Sequence, residues 1–533
     1  MSLYTWFIIK LIKKISKDYK IYYINKEKKK KKHQSFNFFF SNYLKKFFKM
    51  NNKNFIPILL YTLALFTLSA WGGKVIKKCT PKLRGHEPVN ALMIVQGYEW
   101  GPAVPYVVVE FEDVVHGFDR DTFKVKTGDS ERIILDVYNS NRNGNQKKTA
   151  SKYLTFKLKV NTLFIEFLNA SMGDASPFAY DMATGRNLWA ENFELQLDLA
   201  ENKTFMVGNY EYGGKNAWKT YKKNLIENYI IPDSAVWKKD SFESGEYTLH
   251  RAYFTPKGAE DDGVKNPLII WLHGAGEGGV DPDIALLGNE VTALAKEGIQ
   301  KYFTTDKQKG AYVLLVQTPT MWMDMGDGTY NDKIEAGKKQ TSIYDAALFA
   351  AIKDYVANNK DIDTKRIYLG GCSNGGYMTM NMMFEHGDFF TAFYPICEAY
   401  MNKNISDEMI KQIKDYKIWF LQSEDDATVN PLSSTIPAFY RLLEAGAKNV
   451  HFTLTDKVRG FDDETATYMG HYSWIYAFKD DVRDEFDNSK VLDDVENVTY
   501  DETGVVNSKD NYVTSANCSK DGNMWAWLAE QSK

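Results

Sequence analysis

Residues 371–375 read Gly371-Cys372-Ser373-Asn374-Gly375 and follow directly on a short apolar run, Arg366-Ile367-Tyr368-Leu369-Gly370. A helix-like stretch comes next. A serine with glycines two residues to either side, between a strand and a helix, commits the chain to one local geometry. The turn is sharp and strained, and the serine hydroxyl stands exposed above a sheet. The glycines are needed because strand and helix cross too closely there for side chains. The five-residue pattern arises by chance in many long chains, so its weight comes from its surroundings.

Those surroundings alternate strands and helices from about residue 240. Residues 267–273 and 311–316 are continuous apolar runs, as expected of strands covered on both faces. Residues 342–356 carry Ile343, Ala347, Ala351, Ile352 and Tyr355 on one helical face, with Ser342 and Asp345 at capping-box spacing. After the strand into Ser373 come strands at 391–395 and 417–422, a helix at 437–445 and a strand at 450–454. This rhythm predicts a doubly wound α/β sheet. Residues 481–515 interrupt it with many Asp and Asn and read as a surface insertion; 523–528 then close the fold as a last helix.

Residues 88–210 read differently. Residues 154–160 (LTFKLKV) and 193–199 (FELQLDL) alternate strictly between apolar and polar, the pattern of a half-exposed antiparallel sheet. Shorter strands are expected at 107–111, 123–125 and 133–137, and turns at 139–145. Several short strands over some hundred residues predict a sandwich. The Cys…Trp…Cys signature is missing, so the pattern alone does not fix an immunoglobulin-like topology.

Charge separates the N-terminus from the rest. Residues 1–49 hold 14 Lys against Asp18 and Glu27, so they carry +12 and the remainder carries −15. An acidic body gives no support for nucleic-acid binding. An apolar run from Phe55 to about Ala70 follows Met50, and Ala70 and Gly72 are small enough for a cleavage site. Residues 50–72 therefore read as a secretory signal and the protein as secreted. Residues 1–49 read as a basic extension upstream of the true start. The alternative is an uncleaved membrane anchor. Cys79, Cys372, Cys397 and Cys518 form no CxxC pair, which argues against zinc. Cys372 and Cys397 fall near strand ends and are expected to be buried thiols.

A serine on such an elbow draws its acid and base from later in the chain, in the order Ser, acid, His. Past the strand at 417–422 only His451 and His471 remain. His451 opens an apolar strand and reads as structural; His471, at a loop-to-helix junction, is the expected base. Glu424, Asp425 and Asp426 compete as the acid, with Asp426 preferred at the loop apex and Asp425 next. An oxyanion needs two backbone N–H donors: Asn374, after the serine, and Ala275, in the glycine-rich loop 273–279. His273 is expected to hold that loop's shape. Glu277, Trp322 and Asp324 are candidate substrate contacts, each with loop packing as the alternative. Met378, Met380, Met382 and Met383 read as core filling.

The segments WLHGAGEGG (271–279), GGCSNGGYM (370–378), IWFLQSEDDATVNP (418–431) and GHYSW (470–474) together resemble secreted esterases that carry an immunoglobulin-like N-terminal domain. These lie near the prolyl oligopeptidase-like and polyhydroxybutyrate depolymerase-like hydrolases. The resemblance covers about 88–480 and resumes near Trp525. It implies an α/β-hydrolase catalytic domain over 240–533, preceded by an all-β immunoglobulin-like sandwich over 88–210. It implies a triad of Ser373, Asp426 and His471, needing no metal or organic cofactor. Gln422-Ser423 departs from it, since relatives often carry His-Gly there.

The expected activity is hydrolysis of short-chain carboxylic esters, with small molecules or acyl groups on plant polysaccharide as substrates. The alternatives are a peptidase of the prolyl oligopeptidase type and a non-catalytic binding protein with a degenerate hydrolase domain.

Overall fold

The computed structural model describes residues 86–483 and 523–533, apart from 215, 329–333 and 335. The chain divides into Met1–Leu83 and Arg84–Lys533, and every described residue lies in the second unit. The expectations for residues 1–72, Cys79 and Cys518 lie outside the described residues, as does the insertion beyond residue 483. Among the described residues no helix is long and apolar enough to cross a membrane.

The N-terminal part is a two-sheet sandwich. One sheet runs in the order Tyr210–Tyr212, Phe205–Val207, Gly101–His116, Pro88–Tyr98, Tyr229–Ile230, with Ser151–Leu158 also on Gly101–His116 and Ile134–Ser140 beside it. The other runs Tyr221–Asn224, Glu194–Leu199, Phe123–Thr127, Ser130–Arg132. Period-two alternation turns Val107, Val109, Leu154 and Phe156 of one sheet toward Val125, Leu195 and Leu197 of the other, and they share one core. The sandwich does not end at 210. Its last strand, Tyr229–Ile230, returns to pair in parallel with Pro88–Tyr98. The catalytic sheet begins at Trp237.

That sheet has eight strands: Trp237–Ser244, Tyr247–Phe254, Tyr312–Gln317, Asn266–Leu272, Ile362–Cys372, Ala392–Ile396, Ile418–Ser423, Val450–Thr455. Tyr247–Phe254 pairs antiparallel with both its neighbours, and the last six strands are parallel. Helices cover both faces, so successive strand residues enter different cores. Leu268, Ile270 and Leu272 pack with the helices Asp345–Asn358, Asn374–His386 and Thr435–Glu444. Ile269 and Trp271 pack with the helices Trp474–Phe478 and Met524–Glu530. The four methionines after the elbow are fully buried, as core filling requires.

The expected capping box at Ser342 and Asp345 does not form. The helix starts at Asp345 without a side-chain cap. The Asp345 carboxylate instead accepts from Asn381 Nδ2 at 2.7 Å and meets His386 Nε2 at 3.1 Å, which ties this helix to the elbow helix. Tertiary partners have outcompeted the local cap.

Three projections of the sandwich bond to the catalytic domain, whose Leu287 also packs into the sandwich core. Glu99, at the turn between Pro88–Tyr98 and Gly101–His116, is fully buried. Its carboxylate accepts from the backbone N–H of Phe461 (2.9 Å) and Asp462 (3.1 Å) and from the Tyr468 hydroxyl (2.9 Å). These donors offset much of the cost of taking a carboxylate out of water. In the hairpin Thr162–Ile165/Ala170–Gly173, Thr162 binds Asp463 and Ser171 Oγ accepts from Thr467 N at 3.1 Å. The hairpin Phe178–Asp181/Arg186–Trp189 reaches the loops beyond the catalytic strands.

Candidate active site

Ser373 lies between the strand Ile362–Cys372 and the helix Asn374–His386, with φ 56° and ψ −116°. A non-glycine residue held there stores about 1–3 kcal/mol of backbone strain. The surrounding contacts enforce it. A Cβ on Gly375 would lie 2.0 Å from the Leu272 carbonyl oxygen, and one on Gly371 would lie 2.4 Å from the same atom. The Ser373 N–H donates to Ile396 O at 2.9 Å. Helix and strand thus approach closely enough to exclude side chains, as the sequence pattern required.

His471 lies in the turn Gly470–Tyr472 and is buried. Its Nδ1 stands 2.9 Å from Asp426 Oδ2 and 3.1 Å from Oδ1. Asp426 is 3% exposed. Its Oδ1 accepts from the backbone N–H of Thr428 and Val429, both at 2.9 Å, and its Oδ2 from Gln422 Nε2 at 3.3 Å. With Nδ1–H donating to this fixed carboxylate, the other ring nitrogen, Nε2, carries the lone pair. Asp425 turns away and takes the Ser423 hydroxyl at 2.6 Å. Gly470 makes the pairing possible, because a Cβ there would lie 2.6 Å from Asp426 N.

Cys397 links this pair to the elbow. It follows Ile396, the acceptor of the Ser373 N–H. Its sulfur, an Asp426 oxygen and a His471 nitrogen lie within 4.8 Å of one another. Cys372 and Cys397 are both buried free thiols, and burial raises both thiol pKa values well above the ordinary range.

The loop after Asn266–Leu272 supplies the opposite wall. Leu272 pairs with Gly371, so Ala275, two residues past His273, starts its turn Ala275–Glu277 beside the elbow. His273 holds this loop. Its Nδ1 meets Gly274 O at 2.6 Å, its Nε2 accepts from Thr318 N at 3.1 Å, and burial lowers its pKa to about 4. His451 is likewise structural: it stacks on Trp419, and burial lowers its pKa to about 3.

Two of the candidate substrate contacts are loop packing. Trp322 is fully buried, and its indole N–H donates to His273 O at 3.1 Å. Asp324 is buried, accepting from the backbone N–H of Gly326 and Gly328 and from the Thr320 hydroxyl. Indole and carboxylate are thus turned inward, into the packing of their own loop. The Trp322 segment matters indirectly, since its backbone N–H donates at 2.5 Å to the Asn374 side chain and so orients the residue after the serine. Glu277 is also buried. Its carboxylate accepts from Asn187 Nδ2 at 3.1 Å, and burial pushes its pKa up to about 7. Asn187 belongs to the sandwich, and sequence reasoning missed it because the contact spans 90 residues.

Residues 90–209 match the family described as esterase Ig-like N-terminal domain, and residues 324–432 match the prolyl oligopeptidase family. The second match spans Ser373 and Asp426 and ends before His471. Fold and matches together define a serine hydrolase of the prolyl oligopeptidase type behind an esterase-type Ig-like domain. Among solved structures, a thermostable esterase is 23% identical, covering 73% of this chain and 96% of its own, with a TM-score of 0.56. A ferulic acid esterase is 15% identical over 46% of this chain and 95% of its own, at a TM-score of 0.33. An acylaminoacyl peptidase from Pyrococcus horikoshii is 13% identical over 73% of this chain and 72% of its own, at 0.32. No curated protein matches the chain by sequence.

Proposed function

We propose that this serine hydrolase is a secreted carboxylesterase acting on short-chain esters, acyl groups on plant polysaccharide among them, through Ser373, His471 and Asp426. The observation that carries the reading is the bond between His471 Nδ1 and the buried Asp426, set beside a strained serine elbow. The esterase-type Ig-like match favours esters over peptides. Secretion rests on the apolar run after Met50.

Each residue has a chemical task. His471 Nε2 takes the Ser373 proton as Oγ attacks the ester carbonyl. Asp426 fixes the ring tautomer and stabilises the imidazolium without taking the proton. The N–H groups of Ala275 and Asn374 receive the oxyanion. His471 returns the proton to the leaving alcohol, and an acyl-enzyme forms on Ser373. Water, deprotonated by the same imidazole, then releases the acid.

The test is hydrolysis of p-nitrophenyl esters of increasing acyl length by the full chain, beside Ser373→Ala. Rapid short-chain cleavage that disappears in the variant is expected. Cleavage confined to blocked aminoacyl amides would favour the peptidase instead. No turnover of either class would favour a non-catalytic binding protein.

A further inference from the structure

The candidate oxyanion loop is held from outside its own domain. Three side chains of the strand Arg186–Trp189 reach the loops at the ends of the catalytic strands. Arg186 Nη1 donates to Pro319 O at 2.6 Å, Asn187 Nδ2 to Glu277 Oε1 at 3.1 Å, and Trp189 Nε1 to Asp281 Oδ2 at 2.8 Å. The middle contact lies directly on the turn Ala275–Glu277. A Cβ on Gly276 would stand 3.1 Å from Asn187 Nδ2, so the amide lies against the loop backbone. A Cβ on Gly274 would stand 2.8 Å from Glu277 Oε2, so the carboxylate folds back over the start of the same turn. Glu277 O is itself fixed by Gln317 Nε2 at 2.8 Å.

We propose that Asn187 is a positioning residue for hydrolysis: from the Ig-like domain, its amide holds the Glu277 carboxylate and so sets where the Ala275 N–H points. The inference rests on the reading of Ser373 as nucleophile and Ala275 as oxyanion donor. Small errors in an oxyanion donor are costly because its worth depends on fixed geometry.

Charge makes the link distinguishable from packing. Burial disfavours the Glu277 carboxylate, while the Asn187 amide and the backbone amides of Glu277 and Gly274 favour it. The other ionisable groups around it are the Cys372 thiol and the Tyr472 hydroxyl, both raised by burial and by Glu277 itself. Arg186 and Asp281 flank it, each committed to the bonds above. Replacing the amide by a carboxylate of equal shape removes a donor and adds a like charge, which disfavours ionisation of Glu277.

The experiment compares Asn187→Asp and Asn187→Ala with the unmodified full chain, and with Ser373→Ala, in kcat and KM from pH 5 to 9. Melting temperatures report whether each variant is folded. For Asn187→Asp, kcat at pH 7 is expected to fall about tenfold with KM within about twofold, the signature of a lost transition-state contact. The acidic limb of kcat, to which Glu277 contributes beside the base His471, should move up by about one pH unit, because Glu277 then ionises later. Asn187→Ala should show the same fall and a smaller shift. Wild-type kcat in both folded variants would overturn the proposal, as would a fall in kcat with the acidic limb unmoved. Turnover surviving in Ser373→Ala would instead overturn the underlying reading of the nucleophile.

Discussion

His471 and Asp426 meet at 2.9 Å, and Asp426 also accepts from two backbone N–H groups of its own loop and from Gln422 Nε2. The carboxylate is therefore immobile, and the imidazole is oriented by a part of the chain that cannot rotate away.

Asp426→Asn preserves the shape of this loop but offers an amide N–H where the ring also presents one. The tautomer is then wrong for proton transfer, and kcat should fall about 10³–10⁴-fold with little change in KM. Asp425→Asn should stay within about threefold of the unmodified chain, since that carboxylate only takes the Ser423 hydroxyl. Steady-state kinetics on a p-nitrophenyl ester decide it; the reverse ranking would move the acid to Asp425.

Stability should decline as pH rises. Burial raises the pKa of Glu398 to about 8, and those of Glu277 and Glu290 to about 7. A carboxyl raised on folding contributes stability that is complete below its unfolded value. That contribution is lost as pH rises through the folded value. For Glu398 the window runs from the ordinary glutamate range to about pH 8. Denaturant titrations at pH 5, 7 and 9 should show a loss of several kcal/mol across that range, about 1.4 kcal/mol per pH unit for each group inside its window. Glu398→Gln should flatten the part above pH 7, and an unchanged slope would remove Glu398 as a contributor.

Glu99 joins the sandwich to the loop ahead of His471. Glu99→Ala would strand the N–H groups of Phe461 and Asp462 and the Tyr468 hydroxyl, at a cost of about 2–4 kcal/mol. Glu99→Gln keeps one oxygen acceptor and removes a buried charge, so it should cost about 1 kcal/mol or less. Chemical denaturation of the two variants checks the ranking. Equal losses would show that charge, and not acceptor geometry, matters at this junction.

The elbow was legible because its glycines answer a steric demand that two residues of context reveal. The strands of both domains were legible because period two and continuous apolar runs report directly on half-covered and fully covered sheets. His471 followed from chain order together with its place at a loop-to-helix junction, His451 being set in an apolar strand. Chain order did not separate Asp426 from Asp425, and the loop apex only favoured Asp426; in the structure Asp426, held by two amide donors of its own turn, is the carboxylate that His471 meets. For Trp322 the sequence left substrate contact and loop packing open, because a loop at a strand end usually lines a crevice; in the structure the indole finds a buried carbonyl below it. The end of the sandwich was missed because Tyr210–Tyr212, Tyr221–Asn224 and Tyr229–Ile230 are too short to show a period. Asn187 left no local signal, since its meaning depends on a partner in another domain.

The Glu99 junction also bears on how the chain comes of age. Its carboxylate binds amides 362 and 363 residues further on, so this contact closes only after most of the polypeptide exists. Loop-closure entropy makes such distant pairings late events. The sandwich can be complete while the segment bearing His471 is still unmade. On the proposed assignment, a chain arrested part-way owns an elbow serine and no His471 to serve as its base. Under that reading hydrolytic competence is one of the last acts of maturation, and a half-made molecule is chemically silent.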